Sequence, residues 1–289
     1  MRMDGNISPA TQLCAVIGNP VAHSLSPALH NAAFNALGLD FVYTAFRVEH
    51  LANAINGMRA LENFRGLSVT IPHKIEIIGY MDQISELDRS IGSINTVIND
   101  KGILTGVGTD GPGAMKALLA AGVVLDGASI LLLGAGGAAR AIAFTLAMKA
   151  SPAELVLMDI NAATVDSLTA DLRNGTKAKI TAIPLDAAAL AAAAGAADVI
   201  INCTPIGMHP REDASVVPAG LLRPGQSVFD IVYNPLETRL LREARGAGCR
   251  VVSGVEMFIN QAVLQFELFT GQSAPEDVMR QVVMERLKG

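Results

Sequence analysis

Short apolar runs separated by amphipathic segments set the plan of this chain. Residues 13–17 form an apolar run closed by Gly18-Asn19-Pro20, a turn signal. Ser26-Pro27 predicts a helix from there to Leu37, with the serine as N-cap and the proline in the first turn. Residues 41–48 alternate as a strand, 51–61 read as a helix, and 66–71 form another apolar strand ended by Pro72. Residues 96–99 and 103–107 flank Asp100-Lys101-Gly102 and read as a hairpin. Strand and helix are mixed throughout this portion, which reads as one domain covering residues 1–110.

Beyond Gly111 the alternation becomes regular. A helix is expected from Pro112 to Ala121, then a fully apolar strand over 129–133, a glycine turn, and a helix running to Lys149. Later strands are expected at 154–158, 179–183, 199–203, 227–232 and 250–253, with helical segments between most of them. Apolar strands alternating with helices imply a parallel sheet covered on both faces. The fold class is therefore α/β, with an N-terminal mixed α/β domain and a Rossmann-like, doubly wound parallel sheet over 111–256. An alanine-rich stretch, Asp186 to Asp198, reads as a surface helix capped by Asp186. The last segment, 257–289, is helical and amphipathic, and its place after the sixth strand suggests that it packs back on the first domain.

Composition narrows the function classes. Of 289 residues, 51% are hydrophobic and 17% charged, so the chain can bury large cores and disorder is excluded. A net charge of −5 with no long basic run argues against nucleic acid as a partner. The five histidines and three cysteines lack metal-ligand spacing, and no metal is expected. Cys14, Cys203 and Cys249 lie in or beside apolar runs and make no disulfide framework, which fits a reducing compartment. Neither a signal-peptide pattern nor an apolar run of spanning length is apparent, so a cytoplasmic location without membrane contact is the expectation.

The sharpest local signal follows the strand at 129–133. Gly134-Ala135-Gly136-Gly137-Ala138-Ala139 is a variant of the dinucleotide fingerprint, weak alone because alanine replaces the third key glycine. Its context strengthens it: a strand precedes it, a helix follows, and the next strand ends in Asp159. Glycines there admit a pyrophosphate to the backbone, and the helix N-terminus offers N–H groups and a positive dipole end. Gly134, Gly136, Gly137 and Ala138 are the candidate phosphate contacts. Asp159 can accept from both ribose hydroxyls and would repel a 2′-phosphate, while residues 160–163 supply no Arg or Lys to hold one. NAD is expected in preference to NADP. Asp159 could also cap the following helix, a role compatible with the first.

Three motifs in the first domain carry further chemistry. Residues 18–27, Gly-Asn-Pro-Val-Ala-His-Ser-Leu-Ser-Pro, set the hydroxyls of Ser24 and Ser26 at a helix N-terminus, fit to cap it or to bind a carboxylate. Ser68-Val69-Thr70-Ile71-Pro72-His73-Lys74 delivers a lysine just past a strand. Gly92-Ser93-Ile94-Asn95-Thr96 and residues 106–111 bring an amide and the carboxylate of Asp110 toward the joint between domains. Taken singly, Ser26 could be a helix cap, Asn95 a turn residue, Lys74 a solvated cation and Asp110 a cap for the helix at Pro112.

Together, beside a dinucleotide fold, these motifs make the chain resemble a shikimate dehydrogenase, within the wider quinate/shikimate dehydrogenase family. The resemblance extends to residues 202–208, Asn-Cys-Thr-Pro-Ile-Gly-Met, to 230–235, Asp-Ile-Val-Tyr-Asn-Pro, and to Gly254-Val255-Glu256-Met257 through Gln261. It implies that Ser24, Ser26 and Tyr233 hold a substrate carboxylate, and that Thr70, Asn95 and Gln261 bind ring hydroxyls. Lys74 and Asp110 would be the catalytic pair, with Thr204, Gly254 and Met257 beside the cofactor. The reaction implied is reversible hydride transfer between shikimate and 3-dehydroshikimate. An ammonium beside a reacting ketone lowers the barrier as negative charge builds on oxygen, and a positioned acid or base contributes about 10²–10⁴-fold.

Many family members carry asparagine at the positions of Ser68 and Gly108, and an apolar or aromatic residue at that of His73. Such departures next to the substrate keep quinate, or an amino analogue of shikimate, as the alternative. A catalytically silent NAD-binding regulator is the rival of another class, opposed by the retained Lys74 and Asp110. A methylenetetrahydrofolate dehydrogenase would leave the paired serines and Tyr233 unexplained. The expected partner is a small ring carboxylate, and a homodimer is the one assembly left open.

Overall fold

The computed structural model describes residues 7–288. Its backbone divides into two compact units: residues up to Thr109 together with those from Gln261 onward, and Asp110–Asn260.

The first unit is built on a six-stranded sheet. Its strands are β1 (Gln12–Gly18), β2 (Phe41–Arg47), β3 (Phe64–Val69), β4 (Gln83–Ile84), β5 (Thr96–Asp100) and β6 (Ile103–Val107), in the order β2-β1-β3-β5-β6-β4. The β1 strand pairs in parallel with β2 and β3, whereas β3–β5 and β5–β6 are antiparallel. The mixed character has a local cause. Helices α1 (Ser26–Ala36) and α2 (Leu51–Arg59) supply the crossovers that parallel neighbours need. The β5–β6 hairpin instead turns on Lys101 at φ 52° and Gly102 at φ 88°, two left-handed residues of the kind a two-residue hairpin favours.

The sheet's two faces bury different cores. One gathers Ile17, Ile55, Phe64, Leu67, Ile77, Ile94 and Val97. On the other, α1 meets α10 (Glu276–Lys288) and the end of α9 (Gly254–Thr270), with Phe34 and Phe266 rings 5.3 Å apart. Gly66 is required in β3 because a Cβ there would come within 2.5 Å of the Phe269 ring. The C-terminal segment is two helices rather than one continuous stretch, broken where Gly271 takes φ 70° and Pro275 follows.

The second unit is the regular one. Strands β7 (Ser129–Leu133), β8 (Glu154–Met158), β9 (Ile180–Ala182), β10 (Val199–Asn202), β11 (Ser227–Asp230) and β12 (Arg250–Ser253) pair entirely in parallel, in the order β12-β11-β10-β7-β8-β9. Strand order reverses between β7 and β10, the switch point at which open α/β sheets bind ligands. Helices α4 (Asp110–Ala120), α5 (Gly137–Lys149), α6 (Ala162–Gly175), α7 (Ala187–Ala196) and α8 (Arg239–Gly246) complete it. Leu131, Leu133, Ile200, Val228, Leu240 and Leu241 pack one of its cores. Asp186 caps α7, accepting from Ala189 N at 2.8 Å. Asn161, not Asp159, caps α6, because the Asn161 side chain accepts from Thr164 N. No helix among the described residues is long and apolar enough to cross a membrane.

Candidate functional site

In the first unit the strand ends converge on one rim. Residues Thr70 to Lys74 turn directly off β3. Thr70 N donates to Ile17 O at 2.9 Å, and His73 N donates back to Thr70 O at 3.0 Å. Gly18 makes this approach feasible, since a Cβ on it would sit 2.3 Å from the Thr70 methyl. The His73 ring is buried and its Nε2 lies 2.9 Å from Val48 O, which ties the turn to the chain leaving β2. Lys74 is half-buried, and its carbonyl accepts from Ile94 N at 2.9 Å. One residue further on, the Asn95 carbonyl accepts from Val69 N at 2.8 Å. The lysine-bearing turn and the asparagine strand are thus stitched together by main-chain bonds on both sides.

Asn95 reaches that position through a left-handed turn. Helix α3 (Glu86–Ile91), capped by Ser85, ends at Gly92 with φ 69°, and the chain reverses into β5. The Asn95 side chain is 3% exposed, which makes its hydrogen bonding obligatory. Its Oδ1 accepts from Thr109 N at 2.6 Å, and its Nδ2 donates to Thr109 Oγ1 at 2.8 Å and Gln261 Oε1 at 3.3 Å. Three sequence-distant groups therefore form one buried polar cluster.

Ser24 and Ser26 stand at the start of α1, but not as the sequence pattern predicts. The cap residue is Leu25, and no side chain caps the helix. Ser26 is the first helical residue, with its amide donating to Ser24 Oγ at 3.3 Å. Its buried hydroxyl stands beside that of Tyr43, because α1 packs on β2. Released from capping, both hydroxyls keep bonding capacity that capping would have used.

Two of the departures from the family pattern have structural reasons. The Asp88 carboxylate accepts from Gly108 N at 3.1 Å, and a Cβ at Gly108 would lie 2.7 Å from that carboxylate, so no larger residue fits without a shift. Ser68 accepts from Tyr43 Oη at 2.6 Å and donates to Gln265 Oε1 at 2.7 Å.

In the second unit the loop after β7 is shaped for close approach. Gly134 has φ 104° and a Cβ on it would meet Cys203 backbone at 3.0 Å. Gly136 faces open space, with no neighbouring atom within 4 Å of where a Cβ would stand. Gly137 and Ala138 begin α5, whose N-terminus carries no side-chain cap. Those first-turn amides and the positive helix end suit a pyrophosphate. Asp159 follows β8, its Oδ2 accepting from Ala135 N at 2.8 Å and its Oδ1 from Asn161 N at 2.9 Å. The carboxylate is fixed beside the glycine turn, with Ile160 almost fully exposed next to it. This donor set and cradle fit a dinucleotide.

Thr204 follows β10 and donates from Oγ1 to Asn202 Oδ1 at 2.7 Å. Gly254 opens α9, where a Cβ would lie 2.4 Å from Ile231 O, and Met257 is buried one turn on. Tyr233 stacks on Phe258 with ring centroids 4.5 Å apart, and burial pushes its phenol upward. Asp110 is the first residue of α4 and is 6% exposed. The helix sits close on α5, since a Cβ at Gly111 would come 2.0 Å from Thr145 Oγ1. Withdrawal from water raises the Cys203 thiol, and the negative charges of Asp230 and Asp110 raise it further, which puts Asp110 near the end of β10. Sequence reasoning passed over Tyr43, Thr109 and Gln265, which bond to the candidate residues; Gln265 lies one helical turn after Gln261, a spacing that could have flagged it.

Comparison with known proteins adds the family. Residues 16–97 match the shikimate dehydrogenase substrate binding domain, and 254–284 the shikimate 5'-dehydrogenase C-terminal domain. The chain is 43% identical over 283 residues to the shikimate dehydrogenase (NADP(+)) of Moorella thermoacetica, covering 97% of this chain and 95% of that one. Among solved structures, the shikimate 5-dehydrogenase of Listeria monocytogenes in complex with shikimate and NAD superposes with a TM-score of 0.89 at 36% identity, covering 98% of this chain and 100% of that one. The quinate dehydrogenase of Corynebacterium glutamicum in complex with NAD gives 0.86 at 31% identity, covering 95% and 99%. With a relative this similar over nearly its whole length, and the fold it shares with them, the chain belongs to the shikimate dehydrogenase family.

Proposed function

We propose that this chain catalyses reversible hydride transfer between shikimate and 3-dehydroshikimate, with Lys74 and Asp110 as its acid–base pair. The observation that carries the reading is the rim of the first unit. Main-chain bonds hold the Lys74 turn against the strand that presents Asn95, and the Asn95 carboxamide is joined to Thr109 and Gln261. A cation and two carboxamides at one rim suit a ring that carries several hydroxyls, one of them reacting. The first unit supplies Lys74 and most of the substrate contacts, and the second supplies Asp110, Tyr233 and the cofactor contacts.

Ser24, Ser26 and Tyr233 bind the substrate carboxylate. Thr70, Asn95 and Gln261 bind ring hydroxyls. In oxidation Lys74 Nζ takes the hydroxyl proton as the C–H bond gives up its hydride; in reduction it returns that proton to the carbonyl oxygen. Asp110 accepts a hydrogen bond from the substrate at a hydroxyl other than the one whose proton Lys74 moves, and its negative charge favours the protonated form of the lysine. A bound nicotinamide supplies the hydride chemistry. The glycine turn, the uncapped end of α5, Thr204, Gly254 and Met257 hold the dinucleotide.

NAD is the preferred cofactor. Asp159, fixed by two amide donors, accepts from the adenosine ribose hydroxyls and repels a 2′-phosphate. The Moorella relative is named for NADP(+), so this preference is a property of Asp159 and of the uncharged stretch 160–163 rather than of the family.

The Corynebacterium likeness supports quinate as the second substrate reading. The acid–base assignment is tested by Lys74→Ala. Turnover of shikimate falls by about 10²–10⁴-fold while the dissociation constant for NAD, read by fluorescence titration, stays unchanged. Near-normal turnover in that variant removes Lys74 from the mechanism.

A further inference from the structure

One buried polar chain runs beneath the proposed substrate contacts of the first unit, and none of the assigned roles uses its centre. It begins at Ser26, whose hydroxyl stands beside that of Tyr43. Tyr43 Oη donates to Ser68 Oγ at 2.6 Å, and Ser68 Oγ donates to Gln265 Oε1 at 2.7 Å. From the same carboxamide, Gln265 Nε2 donates to Asn95 O at 3.1 Å and to Thr96 Oγ1 at 3.0 Å. Tyr43, Ser68, Thr96 and Gln265 are all at most 5% exposed. The His30 ring stacks on Tyr43 with centroids 4.5 Å apart and planes 9° apart, and burial lowers its pKa to about 3, so the wall behind the chain stays uncharged.

Both ends of Gln265 are thus committed, with one donor on the carbonyl of the very residue whose carboxamide faces Thr109 and Gln261. A side chain with two χ angles beyond its root and no exposure has little freedom once three bonds are made. It fixes the Asn95 main chain at the point where β5 begins, and so the direction of the Asn95 side chain. Gln261 and Gln265 lie one turn apart on the same face of α9, so one helix supplies both the contact and its support.

We infer that Gln265 is a positioning residue for substrate recognition: by holding Asn95 O and Thr96 Oγ1 against Ser68, it sets the Asn95 carboxamide on a substrate ring hydroxyl. The inference rests on the reading of the first unit as the shikimate site. It predicts an effect that passes through Asn95 and leaves the hydride step and cofactor binding alone.

The test is a double-mutant cycle on the purified full chain, with shikimate and NAD. Gln265→Met keeps length and apolar volume but makes none of the three bonds. In the otherwise wild-type protein it raises KM for shikimate about tenfold, with kcat and KM for NAD within about twofold. In an Asn95→Ala background the same substitution changes KM by less than about twofold, because the group it positions is gone. A merely structural role multiplies the two losses instead, and that outcome overturns the inference, as does an unchanged KM in the single variant. Should Gln265→Met not fold, Ser68→Ala removes the anchor on Gln265 Oε1 and enters the same cycle, with the same two readings. A folded wild-type protein that turns over no shikimate fails at an earlier point, the proposed function itself, and is told apart by the absence of any rate to compare.

Discussion

At the scale of single residues, the chemistry is governed by which carboxylates and amides are held and by what. Asp159 shows it best. Two backbone amides fix its oxygens beside the turn of Gly134 to Gly136, so its charge cannot swing away from a ribose placed there. A unit charge opposing a phosphate at contact distance costs roughly 1–4 kcal/mol in a watery to half-buried site. Asp159→Asn keeps the shape and removes the charge, and the ratio of kcat/KM for NADP to that for NAD rises by about tenfold or more. A ratio that does not move would assign cofactor choice to other residues. These residues were legible in the sequence because several motifs at strand ends occur together and in one order, although each alone could be a cap, a turn residue or a solvated cation. Their partners were not. Ser68 meets Gln265 across a separation of 197 residues and Asn95 meets Gln261 across 166, and no local pattern encodes such pairs.

At the scale of elements, strands with largely apolar runs were read with the right bounds, as in β7 and β8, because both faces of a parallel sheet are buried. Short elements escaped. Helix α3 has six residues, too few for a period to show, and depends on the Ser85 cap and Gly92 instead. Strand β4 has two residues and exists only through its pairing with β6. Ser26 was read as a cap, but the chain enters α1 already helical at Leu25, leaving the serine inside the first turn.

The junction of β11 with α8 carries a pH dependence. Asp230 is fully buried, accepting from Asn202 Nδ2 at 2.9 Å, Val232 N at 3.1 Å and Thr238 Oγ1 at 2.7 Å. Burial outweighs these donors and raises its pKa from 3.8 to about 6. The folded state therefore holds the proton more tightly than the unfolded chain does. Its contribution to stability is complete below pH 4 or so and is lost as pH rises through about 6. Between those limits the wild-type protein loses on the order of 3 kcal/mol relative to Asp230→Asn, which has no proton to release. Urea midpoints of the two proteins across that window check it; parallel profiles would mean that Asp230 does not titrate there.

At the scale of the whole molecule, composition excluded more than it assigned. Modest charge, a high apolar content and scattered cysteines removed nucleic acid, disorder and a disulfide scaffold from consideration. The alternation of strands and helices then carried the fold class, which the two six-stranded sheets bear out. Family membership follows from the whole length of the chain, not from a single motif. In the proposed function, substrate and cofactor preference turn on the side chains assigned there, and rates decide them. The most direct measurement sets shikimate and quinate against NAD and NADP in four assays of the wild-type protein, each read by the absorbance of the reduced cofactor. The account predicts the highest kcat/KM for shikimate with NAD. A higher value for quinate, or for NADP, would contradict it, and the absence of turnover in all four would contradict it altogether.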